Sequence, residues 1–94
     1  MSARIEVKKS GDGAYDVRVI DGKSETSHRV TLGAPDYERL GKGKVTREEL
    51  VGLSFEFLLE HESKESILDR FDLTVIWRYF PQYEREIKKR MAAA

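Results

Sequence analysis

The two histidines and their acidic neighbours are the residues of this chain whose types could perform metal or acid–base chemistry. His61 and Glu65 stand four residues apart, so a helix would place both side chains on one face. A zincin site, however, needs a second histidine where Glu65 stands, and a zinc ion needs three or four converging ligands. Neither His28 nor His61 has a serine, cysteine or aspartate partner at a catalytic spacing. These spacings predict no metal site, no cofactor and no catalytic residue.

A glycine- and lysine-rich stretch at 41–44 has the composition of a phosphate-binding loop but not its sequence. Such a loop leads into a helix that begins with Gly-Lys-Ser or Gly-Lys-Thr, whereas Lys44 is followed by Val45. The basic triplet at 88–90 suits the negative end of a helix dipole. We therefore interpret 41–44 as a flexible connection and 88–90 as a helix end.

The composition is typical of one small folded domain. Among 94 residues, 17 basic and 17 acidic side chains cancel, so no overall field attracts nucleic acid or anionic lipid. The absence of cysteine excludes disulfides and thiolate chemistry. The start of the chain lacks a signal-peptide core, and the apolar run 50–59 is about half of a membrane span. We expect a cytoplasmic protein without membrane contact, with a single domain at 1–94 that comprises a sheet at 3–32, a helical part at 35–91 and a frayed tail at 92–94.

Alternating apolar and polar residues predict three strands in the first third of the chain. Turn residues at 10–13 separate the first two strands, and Asp21-Gly22 predicts a hairpin between the second and third. A loop of even length at this hairpin keeps the apolar residues together, whereas a slip by one residue would invert every side chain. The predicted inner face contains Tyr15, Val17, Val19, Thr26, His28 and Val30.

Capping residues predict where the first two helical segments begin. Pro35 opens a short helical turn, and Gly41 closes it. Thr46 and Glu49 form a capping box for a helix that ends at 60 or 61. The apolar arc of this helix is wider than a surface helix needs, which predicts a central helix or a subunit contact, with Leu53 and Phe57 facing the core.

The last third of the chain is predicted to be helical. Ser63 and Asp72 are the expected caps of helices at 64–68 and 73–79, and Pro81 separates these from a last helix at 82–91. The predicted fold class is therefore α+β: a three-stranded antiparallel β-meander followed by a short helical turn and about three helices packed on one sheet face.

Four stretches between residues 27 and 87 carry a resemblance to known proteins. They are Glu49-Leu50-Val51 with Ser54-Phe55-Glu56-Phe57-Leu58-Leu59-Glu60, Glu65-Ser66-Ile67-Leu68, Phe71-Asp72-Leu73 with Ile76, and Arg78-Tyr79-Phe80-Pro81-Gln82-Tyr83-Glu84. Through these residues, about two-thirds of the chain resembles a family of short uncharacterised bacterial proteins. The resemblance implies no activity, substrate or catalytic residue.

Aromatic and arginine side chains clustered at 77–83 point to protein binding. Trp, Tyr and Arg are enriched in interface hot spots, and we expect Arg78, Tyr79 and Tyr83 to form a contact surface. The predicted function is a non-enzymatic protein-interaction or self-association module, with a protein partner or a weak homodimer. The alternative is a nucleic-acid-binding protein that uses the outer sheet face, although the acidic residues of that face oppose phosphate. The third possible function is that of an enzyme whose site is assembled from residues that are separated in the sequence.

Overall fold

The computed structural model describes residues 3–41 and 43–93, which form an α+β fold. Lys42, in the predicted flexible connection, lies outside the described residues, as do residues 1, 2 and 94. The strands pair in the order β1-β2-β3-β4, and the helices pack on one face of the sheet. The elements are β1 (Arg4–Gly11), β2 (Ala14–Asp21), β3 (Ser24–Thr31), α1 (Ala34–Leu40), α2 (Arg47–His61), a 3₁₀ turn (Lys64–Ser66), β4 (Arg70–Asp72), α3 (Val75–Tyr79) and α4 (Tyr83–Ala93).

The predicted meander and its register are confirmed. Asp21 pairs with Ser24 across a two-residue loop, where Gly22 adopts a φ of 63° that suits glycine. The cross-strand pairs on the inner face are Tyr15 with Val30, Val17 with His28 and Val19 with Thr26. Since one even-length loop generates all of these pairs, the sheet buries the predicted face.

Helix α2 lies between the sheet and α4, which explains its wide apolar arc. The predicted capping box is present: Thr46 accepts from the Glu49 amide at 3.1 Å, and the Glu49 carboxylate accepts from the Thr46 amide at 2.8 Å. One side of α2 contacts β1 and β2, and another contacts α4. Phe57 is fully buried, whereas Leu53 is only partly buried, so the prediction of a core position holds in full for Phe57 alone.

The predicted helix at 64–68 is wrong. The chain forms only a 3₁₀ turn there, because the Ser63 hydroxyl bonds to the Ser66 hydroxyl at 3.1 Å and caps no backbone amide. The chain then forms β4, a fourth strand absent from the prediction. Strand β4 runs parallel to β3, with Val30 opposite Phe71 and Thr31 opposite Asp72.

The Asp72 carboxylate joins β4 to β3 and orders the chain before α3. It accepts hydrogen bonds from the Thr31 hydroxyl at 2.6 Å, from the Thr74 hydroxyl at 2.6 Å and from the Thr74 amide at 3.1 Å. Burial alone would raise the pKa of Asp72, but these hydrogen bonds outweigh it and lower the pKa below its ordinary value. Because Asp72 belongs to the strand, α3 begins at Val75 instead of Leu73.

The remaining helices differ from the prediction only at their ends. Helix α1 begins at Ala34, which places Pro35 in its first turn, and Gly41 is its C-cap as expected. Helix α4 begins at Tyr83 and continues through Ala93, two residues beyond the predicted end at Met91.

Removal of the Thr46 cap tests the start of α2. We expect Thr46→Ala to lower the free energy of unfolding by about 0.5–2 kcal/mol, because the Glu49 amide loses its acceptor. Ser63→Ala is the matched control, since this hydroxyl caps no amide and its loss should change stability by less than about 0.5 kcal/mol. Urea denaturation would measure both variants, and equal midpoints would contradict the assignment.

The pH dependence of stability tests Asp72. A carboxylate whose pKa is lowered by folding stabilises the protein above its unfolded pKa, about 3.9, and this contribution is lost as the pH falls through the folded pKa. Asp72→Asn should therefore destabilise the protein by about 1–2 kcal/mol at pH 7. The difference from the unmodified chain should shrink as the pH falls below about 4. A difference that stays constant down to pH 2 would show that the charge contributes nothing.

Candidate functional site

The three predicted contact residues do not share a surface. Arg78 is exposed and Tyr79 is 69% exposed, both on α3, whereas Tyr83 is 0% exposed. The prediction that Tyr83 lies on a surface with the other two is wrong, because Tyr83 is the first residue of α4 and its side chain enters the core.

A buried chain of hydrogen bonds explains the position of Tyr83. The Ser54 hydroxyl donates to the Leu50 carbonyl at 2.8 Å, so the Tyr83 hydroxyl donates to the Ser54 oxygen at 2.6 Å. The Tyr83 ring packs edge-on against Trp77 and Phe57, with centroid distances of 5.5 and 5.6 Å. Burial raises the pKa of Tyr83 well above its ordinary value, although the hydrogen bond with Ser54 acts in the opposite direction. Tyr83 therefore locks α4 to α2.

The exposed residue Tyr79 lies on the rim of an apolar groove, which we call the α3 groove. Leu68 and Tyr79, which are 50% and 69% exposed, are the large hydrophobic side chains that remain exposed among the described residues, and both line this groove. The cavity has a volume of about 240 Å³. Its apolar lining consists of Leu58, Ile67, Phe71, Val75, Ile76 and Phe80. Sequence reasoning missed Leu68 because it placed this residue in a helix.

Strand β4 and His28 hold the Leu68 side of the α3 groove. The Arg29 amide donates to the Asp69 carbonyl at 2.7 Å. The His28 Nδ1 lies 2.8 Å from the Leu68 carbonyl, which can only accept, so this nitrogen carries the proton. The His28 Nε2 shares a hydrogen bond of 2.8 Å with the Thr26 hydroxyl. Because His28 is buried with both nitrogens bonded, it anchors the Leu68 backbone while the Leu68 side chain projects outward.

Glu62 brings a negative charge to the α3 groove, which it lines from the C-terminal end of α2. Arg78 is exposed on α3 but is not among the residues that line the groove. Within residues 3–41 and 43–93, neither side chain forms a salt bridge. The α3 groove therefore combines an apolar lining with an unpaired carboxylate.

Arg18 and Arg29 of the outer sheet face are paired with acids of the same face, whereas Arg70, opposite Arg29 in the ladder, forms no ion pair within residues 3–41 and 43–93. Arg18 lies 3.2 Å from Glu6 and 2.9 Å from Glu25, and Arg29 lies 3.1 Å from Asp16. The hydrogen bond from Arg18 lowers the pKa of the Glu25 carboxyl. These acids compete with phosphate for Arg18 and Arg29, which opposes nucleic-acid binding through these two side chains.

His61 and Glu65 do not share a helix face. His61 ends α2 and packs against Phe57 and Phe80, with centroid distances of 4.7 and 5.0 Å, whereas Glu65 lies in the 3₁₀ turn and pairs with Lys64 at 2.8 Å. In the part of the chain that the structure describes, no three His, Asp or Glu side chains are grouped to hold a metal ion. Over the same residues, every helix is too short or too polar to cross a membrane.

The chain matches no known protein family, no curated protein and no solved structure. The family resemblance drawn from the sequence therefore stays a prediction.

The hydrogen-bond chain from Tyr83 predicts an asymmetry between two deletions. Tyr83→Phe should lower the free energy of unfolding by about 1 kcal/mol, because the Ser54 hydroxyl still donates to the Leu50 carbonyl. Ser54→Ala should cost about 1–3 kcal/mol, because it leaves the buried Tyr83 hydroxyl without an acceptor. In the double variant, Tyr83→Phe should restore part of the stability lost through Ser54→Ala, because it removes the hydroxyl that has no acceptor. Chemical denaturation of the two single variants and the double variant would measure their free energies of unfolding. Strictly additive losses would contradict the assigned hydrogen bond between Tyr83 and Ser54.

Proposed function

We propose that this chain is a non-enzymatic protein-interaction module and that its contact surface is the α3 groove. The main support is that Leu68 and Tyr79 both lie at the edge of the same apolar recess. These two are the large apolar side chains left exposed among the described residues. Exposed apolar groups gathered around a recess are a common property of protein-binding surfaces.

The size and rigidity of the α3 groove favour a protein partner. At about 240 Å³ it lies below the usual range of small-molecule sites, which is about 300–1,000 Å³, so it suits side chains better than a cofactor. Phe80 leaves the helical conformation directly before Pro81, which ends α3 and holds Tyr79 on a short, fixed corner. An aromatic side chain held in this way provides contact area at low entropic cost.

The proposal retains Tyr79 from the predicted contact residues, keeps Arg78 as its exposed neighbour on α3, and replaces Tyr83 by Leu68. It keeps the cytoplasm as the location, and on the sheet face the acids paired with Arg18 and Arg29 oppose phosphate.

Site-specific photo-crosslinking in cells tests the proposal. With p-benzoylphenylalanine at position 79, we expect a covalent adduct to a protein after irradiation. The control carries the same group at Ser27, an exposed position on the outer sheet face, and should give no such adduct. Equal adducts at both positions, or none at position 79, would overturn the proposal.

Stability measurements separate a contact role of Tyr79 from a structural one. Tyr79→Ala should change the free energy of unfolding by less than about 0.5 kcal/mol, because the side chain is 69% exposed. Trp77→Ala should cost more, since Trp77 packs against Tyr83 and beneath the Arg39 guanidinium, 5.3 Å from the ring centroid. Unfolding by Tyr79→Ala would assign this residue to the core.

A further inference from the structure

We propose that a recess at one end of the sheet binds a phosphate group through three donors: the Tyr15 hydroxyl, the Arg47 guanidinium and the Lys9 ammonium group. We call it the Tyr15 recess. It shares no residue with the α3 groove, so this inference is independent of the proposed function. The phosphate is either free or carried by a small molecule, and titration distinguishes these two sources.

The Tyr15 recess is formed where three parts of the chain meet. They are the β1–β2 hairpin, the junction between β3 and α1, and the first residue of α2. The side chains that bring a charge or a hydrogen-bonding group to it are Lys9, Asp12, Tyr15 and Arg47. With a volume of about 500 Å³, the recess lies within the usual range of small-molecule sites, which is about 300–1,000 Å³.

The Tyr15 hydroxyl opens into this recess as a donor without an acceptor. Tyr15 is 1% exposed, and its ring belongs to the hydrophobic core. Within residues 3–41 and 43–93 no group accepts the hydroxyl proton, yet the hydroxyl is not fully enclosed, so it reaches the space of the recess. It lies beside the Arg47 guanidinium, which can only donate. Donors on buried side chains ordinarily have an acceptor, and here the chain does not supply one.

The hydroxyl keeps its proton at neutral pH. Burial, followed by the Glu48 carboxylate, raises the pKa of Tyr15 above its ordinary value, and Arg47 acts in the opposite direction. Since even an unperturbed tyrosine titrates only near about pH 10, this side chain remains a donor. A ligand that completes the site must therefore accept a hydrogen bond.

Two cations near the hydroxyl determine the charge of that ligand. Arg47 lies over the Tyr37 ring, 4.8 Å from its centroid, which holds the guanidinium and leaves its in-plane N–H groups available. Within the described residues, Lys9 and Arg47 form no salt bridge. A phosphate group has a charge of about −1.5 to −2 and three acceptor oxygens, so it matches two cations and one hydroxyl. A carboxylate carries a single charge and would leave one cation unneutralised.

Asp12 lines the same recess and opposes an anion there. Against it stand the two positive side chains of Lys9 and Arg47, so the lining as a whole favours a negative ligand. Asp12→Asn should therefore tighten phosphate binding at least about twofold, because it removes the repulsion. Weaker binding by this variant would overturn the inference.

Titration with inorganic phosphate at constant ionic strength, followed by two-dimensional amide NMR, tests the inference. We expect saturable shifts of the Gly13 and Gly33 signals, since both residues line the recess, with a dissociation constant below about 1 mM. Tyr15→Phe keeps the ring in the core and removes only the donor, so it should weaken binding about fivefold. Lys9→Gln should weaken it at least as much. The absence of saturable shifts, or an unchanged affinity in both variants, would overturn the inference.

Lys23→Gln is the matched control for Lys9→Gln. Lys23 is also an exposed lysine, but it lies in the β2–β3 loop at the opposite end of the sheet, and its loss changes the net charge equally. It should leave the dissociation constant within about twofold, because screening weakens the field of a distant charge. A comparable loss in this variant would attribute the effect of Lys9→Gln to net charge and overturn the inference.

Two further probes identify the ligand. If glycerol 3-phosphate binds more tightly than inorganic phosphate, the result supports an ester whose organic part fills the recess. Equal or weaker binding of glycerol 3-phosphate supports free phosphate. Acetate that binds as tightly as phosphate, with the same signals shifted, would overturn phosphate as the class of ligand.

Discussion

Strand β4 joins the segment before α3 to the edge of the sheet. Thr31 and Asp72 are 41 positions apart, yet their side chains share a hydrogen bond of 2.6 Å and their backbones share a parallel ladder. The Leu73 amide extends this contact by donating to the Thr31 carbonyl at 2.9 Å. This pairing fixes the chain between the 3₁₀ turn and α3, which supply two sides of the α3 groove.

Two polar side chains within the apolar core give the helical layer a defined position. His28 and Ser54 are buried, and every hydrogen-bonding group described for them has a partner. Apolar side chains can shift along one another at little cost. A buried polar group left without its hydrogen-bond partner, however, destabilises the fold by about 1–3 kcal/mol. His28 therefore sets the position of the Leu68 segment relative to the sheet, and Ser54 sets that of α4 relative to α2.

The parts of the fold that depend on local rules are predictable from the sequence. Alternation and an even-length turn determine which face of the meander is buried, and Thr46 with Glu49 determines the start of α2. Strand β4 escapes prediction because three residues carry no period and its partner is distant in sequence. The prediction that Ser63 caps a helix is wrong because a serine hydroxyl can bond another side chain as easily as a backbone amide.

The candidate site is likewise predictable from the sequence only where local spacing determines the structure. Helical spacing correctly predicts that Arg78 and Tyr79 face outward from α3. The position of Tyr83 depends on the direction of the chain after Phe80, which a local pattern does not encode. Two signals pointed to its burial: Tyr83 shares an apolar stripe with Ile87 and Met91, and a serine interrupts the apolar arc of α2 where a buried hydroxyl would need a partner.

The distance along the chain between β3 and β4 also bears on how the molecule folds. Hairpin contacts within the meander form between near neighbours and so at low entropic cost, whereas β4 must close a loop of some forty residues before its ladder forms. The segment that builds the α3 groove is thus joined to the sheet by the shortest strand and the least local pairing. Its local opening needs fewer broken contacts than global unfolding does. A partner bound in the α3 groove would stabilise this junction, so the segment would be better ordered when the groove is occupied.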